Sequence, residues 1–95
     1  MSTNIKTLRV VISGKVQGVF FRATTKQVAD TLGLCGYVRN EPNGSVVIEV
    51  EGEDEMVNKL IDFCHHGPAG AVVEKVSITL GTGSGYVGFE IQDLN

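Results

Sequence analysis

Apolar and polar residues alternate in several short segments of this chain, and each segment predicts a β-strand. Between Lys6 and Ser13, Leu8, Val10 and Ile12 fall on one face. Val11 adds apolar character to the other face, which favours a central position in the sheet. The same reasoning predicts strands at 37–41, 46–51 and 75–80, and a short last strand at 88–92.

Two other stretches have apolar residues at helical spacing. The first runs from Phe21 to Leu32, and Gly33 is a natural stop signal. The second begins with the acidic residues 53–55, where a helix N-terminus favours negative charge. It continues through the apolar positions Met56, Val57, Leu60, Ile61 and Cys64, and Gly67-Pro68 ends it.

The resulting order is β-α-β-β-α-β with a short extra strand at the C-terminal end. Two helices on one face of an antiparallel sheet satisfy this order, so the predicted fold class is an α+β, ferredoxin-like sandwich. With 95 residues, the chain is expected to form a single domain over 1–95.

The connections carry their own predictions. Asn43-Gly44 predicts a tight hairpin, because both residues tolerate positive φ. The glycine-rich segment 81–88 is expected to be a loose loop; it resembles a phosphate loop only superficially, since no helix follows it to supply a dipole. Glu49 and Glu51 share one face of a strand, and we expect that face to be solvated.

Charge is unevenly distributed along the chain. The net charge is −3, which argues against nucleic-acid binding. Residues 1–29 hold five basic residues and no acid, whereas residues 30–95 hold three basic and eleven acidic ones. We therefore expect the first part to attract an anionic small molecule.

The sequence favours a cytoplasmic location and a monomer. No apolar run approaches the roughly 20 residues of a membrane span, and the N-terminus lacks a secretory signal, so the cytoplasm is the expected location. No exposed apolar patch is evident, which favours a monomer. Cys35 and Cys64 have no metal-site or redox spacing and are expected to be reduced.

The segment from Ser13 to Arg22 has the composition of a phosphate cradle. Gly14 and Gly18 permit backbone conformations that are costly for other residues. Backbone N–H groups in such a turn, followed by a helix N-terminus, suit a tetrahedral anion. The Arg22 guanidinium could contact two phosphate oxygens at once. No Lys-Ser or Lys-Thr follows Gly18, so this is not a Walker A loop.

Two segments carry a resemblance to a known family. Residues 14–22, GKVQGVFFR, resemble the signature G-x-V-Q-G-V-x-F-R of the acylphosphatases. Residues 36–46, GYVRNEPNGSV, resemble the second signature of that family, and later landmarks extend the similarity over nearly the whole chain. The resemblance implies hydrolysis of acyl phosphates to a carboxylate and inorganic phosphate, without metal or organic cofactor.

The resemblance also implies roles for individual residues. Arg22 and Asn40 are the implied catalytic residues, with Asn40 holding the attacking water. The implied phosphate-binding residues are Lys15, Val16, Gln17, Gly18, Val19, Phe20 and Arg22. Some positions depart from the family pattern: Tyr37 replaces a frequent Trp, Glu41 a frequent Thr, and Gln92-Asp93 lie where an Arg often occurs.

Several alternatives remain open. The chain could be a non-catalytic module that binds phosphate or acyl phosphates. An RNA-binding domain of the same architecture would need exposed aromatic residues on the sheet, and Tyr37 is the only one in the predicted central strands. Lys15 could steer anions rather than bind them, and Arg39 is expected to face away from Asn40. His65-His66 cannot share a helix face, so no metal site is expected.

Overall fold

The predicted order of strands and helices is confirmed in the computed structural model, which describes residues 4–83 and 85–92. The elements are β1 (Ile5–Lys15), α1 (Phe21–Thr31), β2 (Cys35–Asn40), β3 (Val46–Glu53), α2 (Asp54–His66), β4 (Val72–Leu80) and β5 (Phe89–Gln92). The strand and helix predictions agree with these bounds to within a few residues, and β1 and β4 extend further than predicted.

The strands form one sheet in the order β4-β1-β3-β2-β5. β1 lies between β3 and β4, so the predicted central position is confirmed. The pairings among β1, β2, β3 and β4 are antiparallel, but β5 pairs parallel to β2. The chain leaves β4 and enters β5 at the same end of the sheet, so β5 must run opposite to β4 and along β2. The fold class is the predicted ferredoxin-like α+β sandwich, with a mixed rather than wholly antiparallel sheet.

Both helices pack on the same face of the sheet. The core contains alternate residues of the inner strands, such as Val10, Ile12 and Ile48, all fully buried. The helices contribute Phe21 and Ala29 from α1 and Val57, Leu60 and Cys64 from α2. Burial raises the pKa of the Cys64 thiol to about 12.

Within residues 4–83 and 85–92, neither helix is long and apolar enough to cross a membrane, since α1 has 11 residues and α2 has 13.

The β2–β3 hairpin uses its Asn-Gly pair differently from the prediction. Gly44 has φ +95°, whereas Asn43 does not adopt positive φ. Instead, the Asn43 Oδ1 accepts hydrogen bonds from the Ser45 N–H (3.0 Å) and Oγ (2.7 Å). The prediction of a hairpin is confirmed, but Asn43 stabilises it through its side chain, as in an Asx turn.

The prediction of a solvated face around Glu49 is wrong. Glu49 lies on the face of the sheet that carries no helix, but it is only 2% exposed because the segment after β4 covers it. The carboxylate Oε1 accepts hydrogen bonds from the N–H groups of Thr82 (3.0 Å) and Gly83 (2.8 Å) and from the Tyr86 hydroxyl (3.1 Å). The glycine-rich segment is therefore tied to the sheet through its described residues, and the loose loop that we predicted is not what forms there.

The ionisation of this buried cluster follows from its contacts. Burial alone would raise the pKa of Glu49. The hydrogen bonds from Gly83, Tyr86 and Thr82 and the charge of Arg9, 3.8 Å away, outweigh burial and hold this pKa below its usual value. Conversely, burial and the Glu49 carboxylate raise the pKa of Tyr86 to about 12. Glu49 is therefore an anion and Tyr86 a neutral donor near neutral pH.

Candidate active site

The loop between β1 and α1 lies at the end of the sheet where β1 and β2 both finish. Gly14 introduces an irregularity into the β1–β4 pairing and has φ +125°. A Cβ atom there would lie 2.2 Å from the carbonyl oxygen of Val72, so no other residue fits. Gly18 has φ +74° with open space around it, so its requirement is conformational.

The N-terminus of α1 is left open to a ligand. Phe20 precedes the helix with φ +65°, and its carbonyl accepts hydrogen bonds from the Thr24 N–H (3.0 Å) and Oγ1 (2.9 Å). No side chain caps the first turn, and no acidic residue lies in it. The positive end of the helix dipole is therefore available to an anion.

A cleft of about 440 Å³ opens beside this helix end. Its lining residues come from the loop, the first turn of α1 and two strand ends: Val16, Gly18, Phe20, Phe21, Arg22, Ala23, Asn40 and Ile91. Arg22 and Asn40, which are 18 residues apart in the sequence, thus line one cleft. Such a convergence of a cation, an amide and a helix N-terminus suits a phosphorylated ligand.

Three of the residues implied as phosphate-binding do not line the cleft. Lys15 is exposed at the end of β1, opposite Val72. Val19 packs against the core. Gln17 reaches the β2–β3 hairpin, where its Nε2 donates to the carbonyls of Glu41 (2.8 Å) and Ser45 (2.9 Å). The side chains of Val19 and Gln17 therefore support the loop, and the exposed Lys15 side chain lies beside the cleft rather than in it.

Asn40 is the last residue of β2 and pairs with Val46 of β3. Its Oδ1 is buried, and no donor within residues 4–83 and 85–92 hydrogen-bonds to it. Leaving a buried acceptor without a donor is costly, so this oxygen is a site for a water or a ligand hydroxyl. Strand alternation places Asn40 on the same face as the buried Val38, towards the helices.

Arg39 and Glu41 flank Asn40 without entering the cleft. The Arg39 Nε lies 3.4 Å from the Glu41 Oε2, and its guanidinium carbon lies 5.4 Å from the centre of the Tyr37 ring. The prediction that Arg39 faces away from Asn40 is confirmed. Glu41, in place of the frequent Thr, therefore directs its carboxylate to Arg39 rather than to the ligand. Gln92 ends β5, and Asp93 lies outside the described residues.

The basic N-terminal segment is less cationic in space than in sequence. Lys6 pairs with Asp54, Arg9 with Glu49, and Lys26 with Asp30 at 3.0 Å. All three acids come from the acidic remainder of the chain. Three of the five basic residues are therefore engaged away from the cleft, whereas Arg22 lines the cleft and Lys15 is exposed next to the lining residue Val16.

The described residues contain no group of three His, Cys, Asp or Glu side chains that could hold a metal ion. His65 and His66 are exposed in the last turn of α2. The His66 Nδ1 lies 3.1 Å from the Asp62 carbonyl, a contact within the helix.

Sequence reasoning did not identify Phe21, Ala23 and Ile91 as lining residues. Phe21 was predicted only as an apolar residue of the helix. Ala23 follows Arg22 on the helix and carries no chemical signal of its own. Ile91 reaches the cleft because β5 pairs parallel to β2, with Ile91 opposite Val38. The pattern of a short strand predicts neither its partner nor its direction, so no sequence signal was available for Ile91.

Comparison with known proteins agrees with this geometry. The family model named Acylphosphatase matches residues 8–91. An acylphosphatase of Rubrobacter xylanophilus is 47% identical over 92% of this chain and 80% of its own length. An acylphosphatase of Gloeobacter violaceus is 42% identical over 96% and 97%. The structure of an acylphosphatase from Coxiella burnetii superposes with a TM-score of 0.89 at 34% identity, over 94% of each chain. With its cleft, its two signatures and these relatives in agreement, this chain belongs to the acylphosphatase family and is a hydrolase of acyl phosphates.

Proposed function

We propose that Arg22 and Asn40 divide the hydrolysis of an acyl phosphate between them at the end of the sheet. Arg22, the loop amides of residues 16–20 and the N-terminus of α1 hold the phosphoryl oxygens. Asn40 holds the attacking water. The buried and otherwise unpartnered Oδ1 of Asn40, in the same cleft as Arg22, carries this assignment.

The reaction makes modest demands on the protein. The departing group is a carboxylate, whose acid has a pKa of about 4 to 5, so it leaves without a proton donor. Phosphoryl transfer passes through a loose transition state with charge spread over three equatorial oxygens. Fixed donors that surround those oxygens and a water placed in line with the leaving oxygen are sufficient.

The atoms balance without a general base. The water oxygen bonds to phosphorus as the bond from phosphorus to the acyl oxygen breaks, and the products are a carboxylate and inorganic phosphate. An Asn amide is not basic, but its oxygen accepts a hydrogen bond from the water and turns a water lone pair towards phosphorus. The water proton passes to a phosphoryl oxygen.

The test is hydrolysis of benzoyl phosphate in the presence of a chelator by wild type, Asn40→Ala and Arg22→Ala. Loss of one well-placed contact to the transition state lowers kcat by about 10²–10³. We expect at least that loss for both variants. Inhibition by inorganic phosphate should stay within about threefold of wild type for Asn40→Ala and should weaken strongly for Arg22→Ala, which removes charge as well as donors.

Asn58→Ala is the matched control, because it truncates an exposed amide of α2 that contacts Lys6. It should retain wild-type kcat. If Asn40→Ala weakens phosphate binding as much as turnover, Asn40 binds phosphate rather than water. A folded wild type that binds phosphate without hydrolysing benzoyl phosphate would instead be the non-catalytic binding module.

A further inference from the structure

Phe20 is a large apolar side chain on the wall of the catalytic cleft that the fold does not bury. It is 81% exposed, whereas the neighbouring Phe21 is 2% exposed. Phe21 packs in the core and lies 5.7 Å from the ring of Phe63. Phe20 belongs neither to the core cluster nor to its partly buried periphery. Its ring therefore contributes little to folding.

The backbone makes this choice of residue more unusual. Phe20 is the only residue other than glycine with a positive φ in the described part of the chain. A glycine would adopt this conformation without strain, and bulky residues rarely do. An exposed ring on a strained backbone, on the wall of a cleft, is explained most simply by contact with what the cleft binds.

The proposed reaction directs the acyl group away from Asn40. In-line attack requires the leaving oxygen to lie opposite the attacking water. Asn40 holds that water at the strand end, so the acyl group extends from phosphorus towards the opposite side. Phe20 lines the same cleft immediately before the helix, and its exposed ring is available to an acyl group that extends away from Asn40.

We propose that Phe20 is a specificity-determining residue whose ring packs against the acyl group, so that aromatic and longer aliphatic acyl phosphates are preferred to acetyl phosphate. This inference rests on the proposed function, because it takes the position of the water from Asn40. A flat aromatic face buries apolar surface of an acyl chain without demanding one shape. The resulting selectivity is for apolar acyl groups as a class.

The experiment compares kcat/KM for benzoyl phosphate and for acetyl phosphate in wild type, Phe20→Ala and Phe20→Leu. Each variant is compared with wild type on the same substrate, so the different intrinsic reactivities of the two substrates cancel. One methylene in a closed pocket is worth about 10–200-fold, and a ring on an open wall should fall at the lower end. We expect Phe20→Ala to lose about tenfold on benzoyl phosphate and less than about twofold on acetyl phosphate.

Phe20→Leu should recover part of the lost activity on benzoyl phosphate, because it restores an apolar contact. Both variants keep the backbone amide of residue 20, so inhibition by inorganic phosphate should weaken much less than the activity on benzoyl phosphate. Val87→Ala is the control for loss of an exposed apolar side chain outside the cleft, at 91% exposure. Val87→Ala should leave kcat/KM unchanged for both substrates.

Three results would overturn the assignment. Equal losses on both substrates would mean that Phe20 acts on the loop rather than on the acyl group. No loss on either would mean that the ring makes no contact. If Ile91→Ala loses kcat/KM on benzoyl phosphate alone and Phe20→Ala loses none, the acyl group packs against β5 instead. If wild type hydrolyses neither substrate, the proposed function fails first, and that failure is distinguishable because the other results require an active wild type.

Discussion

Two residues of the loop between β1 and α1, Gly18 and Phe20, adopt positive φ within three positions of one another. This arrangement turns the backbone so that amides of the loop and of the first turn of α1 can converge on one ligand. Gly18 is the position where the backbone effect can be isolated, because a Cβ atom there would meet no other atom within 4 Å.

We expect Gly18→Ala to lower the free energy of unfolding by about 1 kcal/mol, the cost of a left-handed conformation for alanine. Because the loop can relieve this strain by rotating an amide away, inhibition by inorganic phosphate should also weaken, by about tenfold. Urea denaturation and competitive inhibition measure the two effects.

Gly85→Ala is the matched control, since Gly85 has φ +71° and is equally unobstructed but does not line the cleft. It should lose similar stability and keep wild-type inhibition by phosphate. If Gly18→Ala behaves like Gly85→Ala, the conformation of Gly18 matters for stability alone and does not organise the amides.

At the scale of elements, hydrophobic alternation predicted β1, β2 and β3, and helical spacing of apolar residues predicted both helices, because each element has one face in the core. Alternation assigns a residue to a face, but it does not reveal what covers that face. Glu49 was therefore assigned to solvent, although the segment after β4 folds over it and Tyr86 stacks edge-on to Tyr37, 6.1 Å away. The same limit applies to β5, whose parallel pairing depends on where the chain crosses the sheet.

We expect Glu49→Gln to lower the free energy of unfolding by about 2 kcal/mol at pH 7, because the charged acceptor of three hydrogen bonds is lost. The pKa of Glu49 is lower in the folded protein than its ordinary value of 4.5. Its charge therefore stabilises the fold above that ordinary value, and this contribution is lost as the pH falls through the lower, folded value. The difference between wild type and variant should shrink below about pH 4.

Glu51→Gln is the control, because Glu51 lies on the same face of β3 but is only partly buried and accepts one hydrogen bond, from Thr7 at 2.9 Å. Its effect should be smaller, less than about 1 kcal/mol. Chemical denaturation of the three proteins between pH 7 and pH 3 provides the comparison. A difference for Glu49→Gln that is independent of pH would show that shape, rather than charge, stabilises the cluster.

The candidate site was predictable to the extent that local sequence encodes it. The spacing of Gly14, Gly18 and Arg22 indicated the loop, and the resemblance implied Asn40. Ile91 was not predictable, because it reaches the cleft only through the pairing of β5 with β2. The sequence predicted the total charge but not its arrangement in space. The folded chain pairs Lys6 and Arg9 with acids distant in sequence, and Lys26 pairs with Asp30 one turn further along α1.

At the scale of the whole molecule, the ion pairs of Lys6, Arg9 and Lys26 distinguish Lys15, which is an exposed positive charge beside the cleft. It is exposed at the end of β1, immediately before the lining residue Val16, and no carboxylate of residues 4–83 and 85–92 pairs with it. The protein as a whole carries a net charge of −3, which repels an anionic substrate. If acyl phosphates bind in the cleft, as proposed above, Lys15 opposes the repulsive field of the whole protein beside their binding site.

We expect Lys15→Gln to raise the KM for acetyl phosphate about threefold at low ionic strength, near 10 mM, and to leave kcat unchanged. The effect should vanish near 0.5 M salt, where the Debye length falls to about 4 Å and an exposed charge no longer acts across the cleft. Lys59→Gln changes the net charge equally but lies on α2, away from the cleft, and should raise the KM much less. If the KM of Lys15→Gln stays raised at high salt and its kcat is also lowered, Lys15 is a direct ligand of the phosphoryl group rather than a steering charge.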